Sequence, residues 1–417
     1  MKRKYSKYIF GSSPFRRPVI ASAKGNYYID YDGNKFLDLM SGQFATVLGH
    51  ADPIFIKEIH KQLKKVVHTS TLHLSFEVLE AAKAVASLTN GTLKKVLLLS
   101  TGAEAVECAI RNAKFYTGKD HIVSISAGYH GLTLATQSLS SSGQYAMPKV
   151  PGSLSIPTPD WIHSDTSKSE AKYISECLKK SEILLRKYRG KIAAFIYEPI
   201  ISVGGMIYPP RQYFLGLKRL AKKHEALLIA DECQTGLGRT GTWFGFQRTH
   251  VVPDILVLAK NAGLGLPVSA VIFDTKIAAT VESKLIHFSS HQNDPIAAKA
   301  LSILIHEIRR RKLLPYIRSI GKYFVDRLKK LAITEPLLIL PRGKGLMLGF
   351  DLPDYLFSKG RNAGQQLMLA LEDRGINIQC IRKGKTFRIL PAYTLKRHEI
   401  DFFIDALRTS LHDLQTK

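Results

Sequence analysis

Residues 227–241 read LLIADECQTGLGRTG, an apolar run ending in the two carboxylates Asp231 and Glu232, followed by glycines at 236, 238 and 241. The glycines satisfy G-x-G-x-x-G, so the stretch admits a dinucleotide loop, an NTPase strand or a metal-binding strand end. A dinucleotide loop needs its first glycine directly after the strand and a helix from the last one. Here Cys233, Gln234 and Thr235 intervene, and TWFGFQRTHVVPD makes a poor helix. An NTPase strand needs a partner G-x-x-x-x-G-K-[ST], but the G-K-T at Gly384 has Gln379 where the first glycine belongs. A metal site needs further His or carboxylate ligands, and the His-Glu pairs at His224, His306 and His398 lack a second histidine four residues after the first. What remains is a buried carboxylate, assigned to Asp231, with no metal. Such a group requires a cationic or hydrogen-bonding partner.

Outward from this strand the chain alternates helix-length segments with short apolar runs: KKVLLLS (94–100), HIVSIS (121–126), IAAFIYEP (192–199), ALLIADE (226–232), DILVLAK (254–260) and SAVIFD (269–274). That is the pattern of an α/β fold with a mainly parallel sheet covered on both faces. Upstream, residues 27–38 alternate and turn at Asp32-Gly33-Asn34, which predicts a hairpin. After Asp294 come a long helical stretch, two strands in RGKGLMLGFDL and TFRILPAY, and a terminal helix. The expected division is a large domain over 44–295 and a smaller α+β domain formed by 1–43 with 296–417.

Ligands in open α/β sheets bind beyond the carboxyl ends of the strands. At one such end, in LLLSTGAEAVECAIRNAKFYTG (97–118), Thr101 and Glu104 form a capping box, Gly118 stops the helix, and Gly102 lets the backbone pass close to an anion. At another, DILVLAKNAGLGLP puts Lys260 at the end of an apolar strand, where desolvation makes an amine nucleophilic toward carbonyls. Its neighbourhood is the candidate environment for the Asp231 carboxylate. Alone, each element reads as an ordinary β-α turn or a snorkelling lysine. Together, a strand-end lysine, a neighbouring carboxylate and a helix-terminal phosphate site describe pyridoxal 5′-phosphate (PLP).

At this point the sequence resembles the class III, fold-type I PLP-dependent aminotransferases, from about Val19 to near the C-terminus. The resemblance rests on STGAEAVECAIRNAKFYTG, GYHG (128–131), YEPIISVGG (197–205), the 227–241 stretch, DILVLAKNAGLGLP (254–267), SSHQNDP (289–295) and RGKGLMLGFDL (342–352). Within the class it is most similar to the 2,2-dialkylglycine decarboxylases, through LDLMSGQFATVLGH, LLLSTGAEAVECAIRNAK, the S-H-x-x-D-P turn and FRILPAYT. The resemblance implies that Lys260 binds the cofactor aldehyde and shuttles the proton, and that Asp231 keeps the pyridine nitrogen protonated. It implies that Gln234 approaches the ring hydroxyl, Tyr129 stacks on the ring, and Gly102 and Ala103 bind the phosphate. Ser290 is expected to reach the phosphate of a partner subunit in a homodimer or dimer of dimers. Arg388 is expected to clamp the substrate carboxylate, with Gln43 beside the departing group. Val203 stands where many ω-amino-acid transaminases carry a glutamate that covers this arginine, so Arg388 is expected to stay open and to favour α-amino and α-keto acids. The decarboxylases have serine at the Val203 position and methionine where this chain has Phe44, which favours plain ping-pong transamination over decarboxylation.

The totals agree with a soluble enzyme. The chain has 417 residues, 45% hydrophobic and 23% charged, and no apolar run of membrane-span length. MKRKYSKYIFGSS has no hydrophobic segment behind its basic cluster, so the cytoplasm is the default address. Cys108, Cys177, Cys233 and Cys380 lie far apart and read as reduced thiols. The net charge of +26 permits a nucleic-acid partner, and a basic nucleic-acid-binding protein on an inactive transaminase fold is the alternative of another class. Against it, the densest basic groups, HEIRRRKLL and LKRLAKKHE, carry apolar residues at helical spacing, so a solvated helix face is expected.

Overall fold

The structure is a computed structural model that describes all residues except 1–7, 12–14, 90, 141–147, 165, 361 and 416–417. The N-terminal hairpin is formed by β2 (Tyr27–Asp30) and β3 (Lys35–Asp38), with β1 (Ile20–Lys24) on its outer side. Asp30 accepts the backbone amides of Asp32 and Asn34 and closes the turn. The remaining strands are β4 (Leu93–Leu99), β5 (His121–Ile125), β6 (Ser153–Ile156), β7 (Ile192–Tyr197), β8 (Leu227–Asp231), β9 (Ile255–Leu258), β10 (Ser269–Asp274), β11 (Ile339–Lys344), β12 (Met347–Asp351), β13 (Ile376–Asn377), β14 (Gln379–Ile381) and β15 (Thr386–Ile389).

The central sheet has seven strands in the order β4-β10-β9-β8-β7-β5-β6. β7 and β9 are buried at every position, as apolar runs covered on both faces must be. β10 alone runs backwards, antiparallel to both β4 and β9. The carboxyl ends of β4, β9, β8, β7 and β5 therefore share one edge of the sheet. β6 was not expected; it pairs in parallel with β5 at the sheet's margin. Toward the C-terminus, β11, β12, β15 and β14 form an antiparallel sheet, and β13 pairs in parallel with β3, Ile376 opposite Leu37. No helix among the described residues is long and apolar enough to cross a membrane.

A buried ionic knot ties the loop after β6 to the C-terminal sheet. His163 contacts Asp160 through Nδ1 at 2.7 Å and Asp351 through Nε2 at 2.8 Å, while Arg342 donates to Asp351 at 2.9 Å and to the Gly205 carbonyl. Burial lowers the His163 pKa, but its hydrogen bonds and charge interactions with Asp160 and Asp351 outweigh burial and raise it overall. A raised histidine pKa contributes stability that is complete below the unfolded value of about 6.5 and is lost as pH rises through the folded value. The melting temperature is thus expected to fall across that window, and His163→Gln to flatten this part of the profile in thermal melts. His163→Ala is expected to cost about 3 kcal/mol at pH 6 by removing one partner of the buried Asp351.

Candidate active site

Beyond β4, Thr101 is extended (φ −125°) and its hydroxyl accepts the Glu104 amide at 3.2 Å, starting the helix Gly102–Thr117; Gly118 ends it in the left-handed region. Glu104 reaches back to the Ser100 amide at 3.0 Å, one residue earlier than the expected box. The first amides of this helix, Gly102 and Ala103, have no intrahelical acceptor and stand at the positive end of the helix dipole, where an anion can bind. A Cβ at Gly102 would lie 3.1 Å from Cys233 Sγ and 3.2 Å from Ala259 Cβ. Those neighbours are two residues past Asp231 and one before Lys260. The helix terminus, the carboxylate strand and the lysine strand therefore meet at one point of the sheet edge.

Asp231 is buried at 4% exposure; Oδ2 contacts His130 Nδ1 at 2.7 Å and Oδ1 accepts the Cys233 amide at 3.1 Å. The partner of this carboxylate is thus His130, where the neighbourhood of Lys260 was expected to supply it. Burial acts to raise the Asp231 pKa, but the hydrogen bond and charge of His130, with Cys233 and Lys260, bring it below the usual carboxylate value, so it stays ionised. Sequence reasoning missed His130, although it is the residue after Tyr129 in GYHG. Glu232, one residue on, points to the other face of the strand, where Gly245, Phe246 and Thr235 hydrogen-bond it. Burial pushes Glu232 up to about 7 and does the same to Glu198, which accepts the Tyr129 amide at 2.9 Å.

Lys260 follows β9 in the left-handed region at φ 50°, a conformation uncommon for a side-chain-bearing residue and found often at functional sites. The loop that imposes it is pinned by Asn261, whose amide donates to the Gly236 carbonyl at 2.8 Å and the Tyr393 hydroxyl at 2.9 Å. The half-buried Lys260 amine has no hydrogen-bond or ion-pair partner among the described residues. Gln234 is buried with its Oε1 unpaired. Tyr129 is half-buried in the loop that follows β5, whose Gly131 abuts Ala103. An anion cradle, a free amine, an ionised carboxylate and an unpaired buried amide oxygen fit the phosphate, aldehyde, pyridine nitrogen and hydroxyl of PLP.

Arg388 lies on β15, 4% exposed, opposite Gln379 of β14 and Gly349 of β12. Val203 places no carboxylate over it, yet it is not open as expected. Nη1 donates to Ser202 Oγ at 3.2 Å, Nη2 donates to Gln379 Oε1 at 2.5 Å, and the guanidinium sits 4.8 Å from the Phe44 ring centroid. Its Nε is unpaired. Burial lowers its pKa to about 10. Gln43 is exposed beside Phe44, in a short kinked helix, Ser41–Phe44. Ser290 is exposed in a turn whose Asn293 bonds Leu98 of β4; no hydrogen bond ties Ser290 to the cleft of its own chain among the described residues. In the same turn His291, with the distant His68, contacts Asp294 at 2.6 and 2.5 Å. Metal-ligand spacing rules gave no sign of this grouping, because 226 residues separate His68 from Asp294.

Comparison with known proteins gives a consistent result. Residues 12–411 match the family described as Aminotransferase class-III. An acetylornithine aminotransferase of Methanothermobacter thermautotrophicus is 31% identical over 96% of this chain and 95% of its own length. A leucine/methionine racemase of Thermococcus litoralis is 30% identical over 95% of this chain and 91% of its own. Among solved structures, an (S)-enantioselective omega-transaminase from Thermomicrobium roseum superposes with a TM-score of 0.90 at 26% identity, covering 97% of this chain and 96% of that one.

Proposed function

The chain belongs to the class-III aminotransferase family, whose members use PLP, and within it we propose that this cleft moves an amino group between an α-amino acid and an α-keto acid. The observation that carries the proposal is the meeting of the Gly102 helix terminus with the segments bearing Asp231 and Lys260. PLP, when bound, supplies a carrier for the amino group and a sink for the electrons left at the substrate Cα. The chain's own residues do the rest. The Gly102 and Ala103 amides would hold the phosphate, and Tyr129 would lie against the ring. Asp231, kept ionised by His130, would hold a proton on the pyridine nitrogen, and the unpaired Gln234 Oε1 would accept from the ring hydroxyl. Lys260 moves the proton from and to the substrate Cα as a general base and acid. Arg388 holds the substrate α-carboxylate and so sets which bond to Cα faces the amine.

A second reading is decarboxylation-dependent transamination of the dialkylglycine decarboxylase kind. It rests on Gln43, exposed next to the Phe44 ring that packs under Arg388. With Phe44 and Val203 in place, 2-aminoisobutyrate with pyruvate is expected to yield no carbon dioxide or acetone, whereas alanine with an α-keto acid transfers its amino group. The opposite outcome would replace the first reading with the second.

We infer a homodimer in which Ser290 completes the partner's phosphate site. Contacts of His68 and His291 with Asp294 bring the 67–76 segment against the 285–291 segment. There Leu72, Leu74, Phe76, Leu285 and Phe288 are 58–83% exposed, an apolar patch of the kind that marks an interface. Light scattering is expected to give twice the chain mass, and Leu74→Asp with Phe288→Asp to give a monomer. Wild-type protein of single-chain mass would contradict the dimer.

A further inference from the structure

Arg388 is a desolvated cation without a bonded carboxylate. Of the other two buried arginines, Arg342 pairs with Asp351 at 2.9 Å; Arg239 likewise has only neutral acceptors, the carbonyls of Leu346 and Pro391 and Ser41 Oγ, but leaves no buried guanidinium nitrogen unpaired. Arg388 is held in place by two neutral acceptors, Ser202 Oγ and Gln379 Oε1, and keeps Nε unpaired in a buried setting. A neutral acceptor fixes the guanidinium without cancelling its charge. A glutamate there would cancel it. Gln379 stands directly across the β14–β15 pair from Arg388, so the two side chains share one face of the sheet.

An amide differs from a carboxylate in a second way, since turning it over exchanges an acceptor for two donors at almost the same positions. A carboxylate arriving on the Nε edge of Arg388 satisfies the unpaired Nε–H and lies beside the Gln379 amide. We propose that Gln379 is a second recognition residue for the substrate α-carboxylate. It accepts from Arg388 in the empty cleft and, turned over, donates its Nε2–H to the anion in the filled one. The pair thereby selects amino acids bearing an α-carboxylate over amines that have none. This rests on the reading of the cleft as an aminotransferase site in which Arg388 takes the substrate carboxylate.

The test uses the cofactor-loaded enzyme and Gln379→Glu, with Gln379→Leu as a second variant in case the first does not fold. Two quantities are read: the ratio of kcat/KM for L-alanine to that for 1-phenylethylamine, and the Kd of propionate, which can bind but not transfer an amino group. Gln379→Glu removes a donor and adds a like charge beside the carboxylate, so the ratio is expected to fall about 30-fold and the propionate Kd to rise by about the same factor. Gln379→Leu is expected to shift both in the same direction by about 5-fold. Equal losses for both amines, or a propionate Kd within about 2-fold of wild type in both variants, would overturn the role of Gln379. Wild-type enzyme that transfers no amino group would instead overturn the aminotransferase reading. The propionate measurement needs no turnover, so the two failures are distinguishable.

Discussion

Lys260→Ala is expected to reduce transamination by at least about 10⁴-fold, because in the proposed mechanism one amine would both hold the cofactor covalently and move the Cα proton. The structure gives this amine what both tasks need. It has no hydrogen-bond or ion-pair partner among the described residues, it is half-buried, its backbone is at φ 50°, and the neighbouring Asn261 is bonded to Gly236 and Tyr393. Alanine keeps that backbone, so circular dichroism is expected to be unchanged while the visible absorbance of lysine-bound PLP disappears. Added methylamine, which replaces the lost base from solution, is expected to restore a small part of the rate. Retained turnover in the variant would transfer the role to another amine.

Asp231→Asn is expected to lower kcat by about 10²–10³-fold, the size of effect seen when one preorganised electrostatic partner is removed from a low-dielectric site. The amide has nearly the volume of the carboxylate, so the fold should survive, but it carries no charge to keep a proton on a pyridine nitrogen. His130 makes this expectation sharper. Its Nδ1 lies 2.7 Å from Asp231 Oδ2, and the depressed Asp231 pKa depends first on that contact working against burial. Asp231 loses its charge only as pH falls through its lowered folded value, so activity should fall on the acid side there. His130→Ala is expected to move that acid limb upward and to cost about 10-fold in kcat at neutral pH, through a carboxylate it never replaces. An acid limb unmoved in His130→Ala would separate the two residues.

Local chemistry was legible wherever neighbours in sequence decide it. Apolar runs gave the strands that become β4, β5, β7, β8, β9 and β10, because a sheet buried on both faces leaves continuous hydrophobic stretches. SLSI (153–156) carried no such signal, since β6 is at the margin and only partly buried. The reversed direction of β10 left no mark, because burial pattern does not depend on strand direction. The three glycines of 227–241 show the hazard of pattern matching. Gly238 and Gly241 have φ of 99° and 81°, and a Cβ on Gly241 would lie 2.4 Å from Arg318 Cγ, so they serve turning and packing. His130 and Gln379 were hidden for another reason. Their importance lies in contacts with Asp231, 101 residues away, and with Arg388 across a strand pair, which no local spacing encodes.

Reduction of the PLP-loaded protein with borohydride, followed by peptide mass spectrometry, identifies the lysine that carries the cofactor. A single phosphopyridoxyl adduct on Lys260 is expected, absent when the protein is first exposed to an α-amino acid that carries the cofactor into its amino form. An adduct on any other lysine, or none on Lys260, would contradict that assignment.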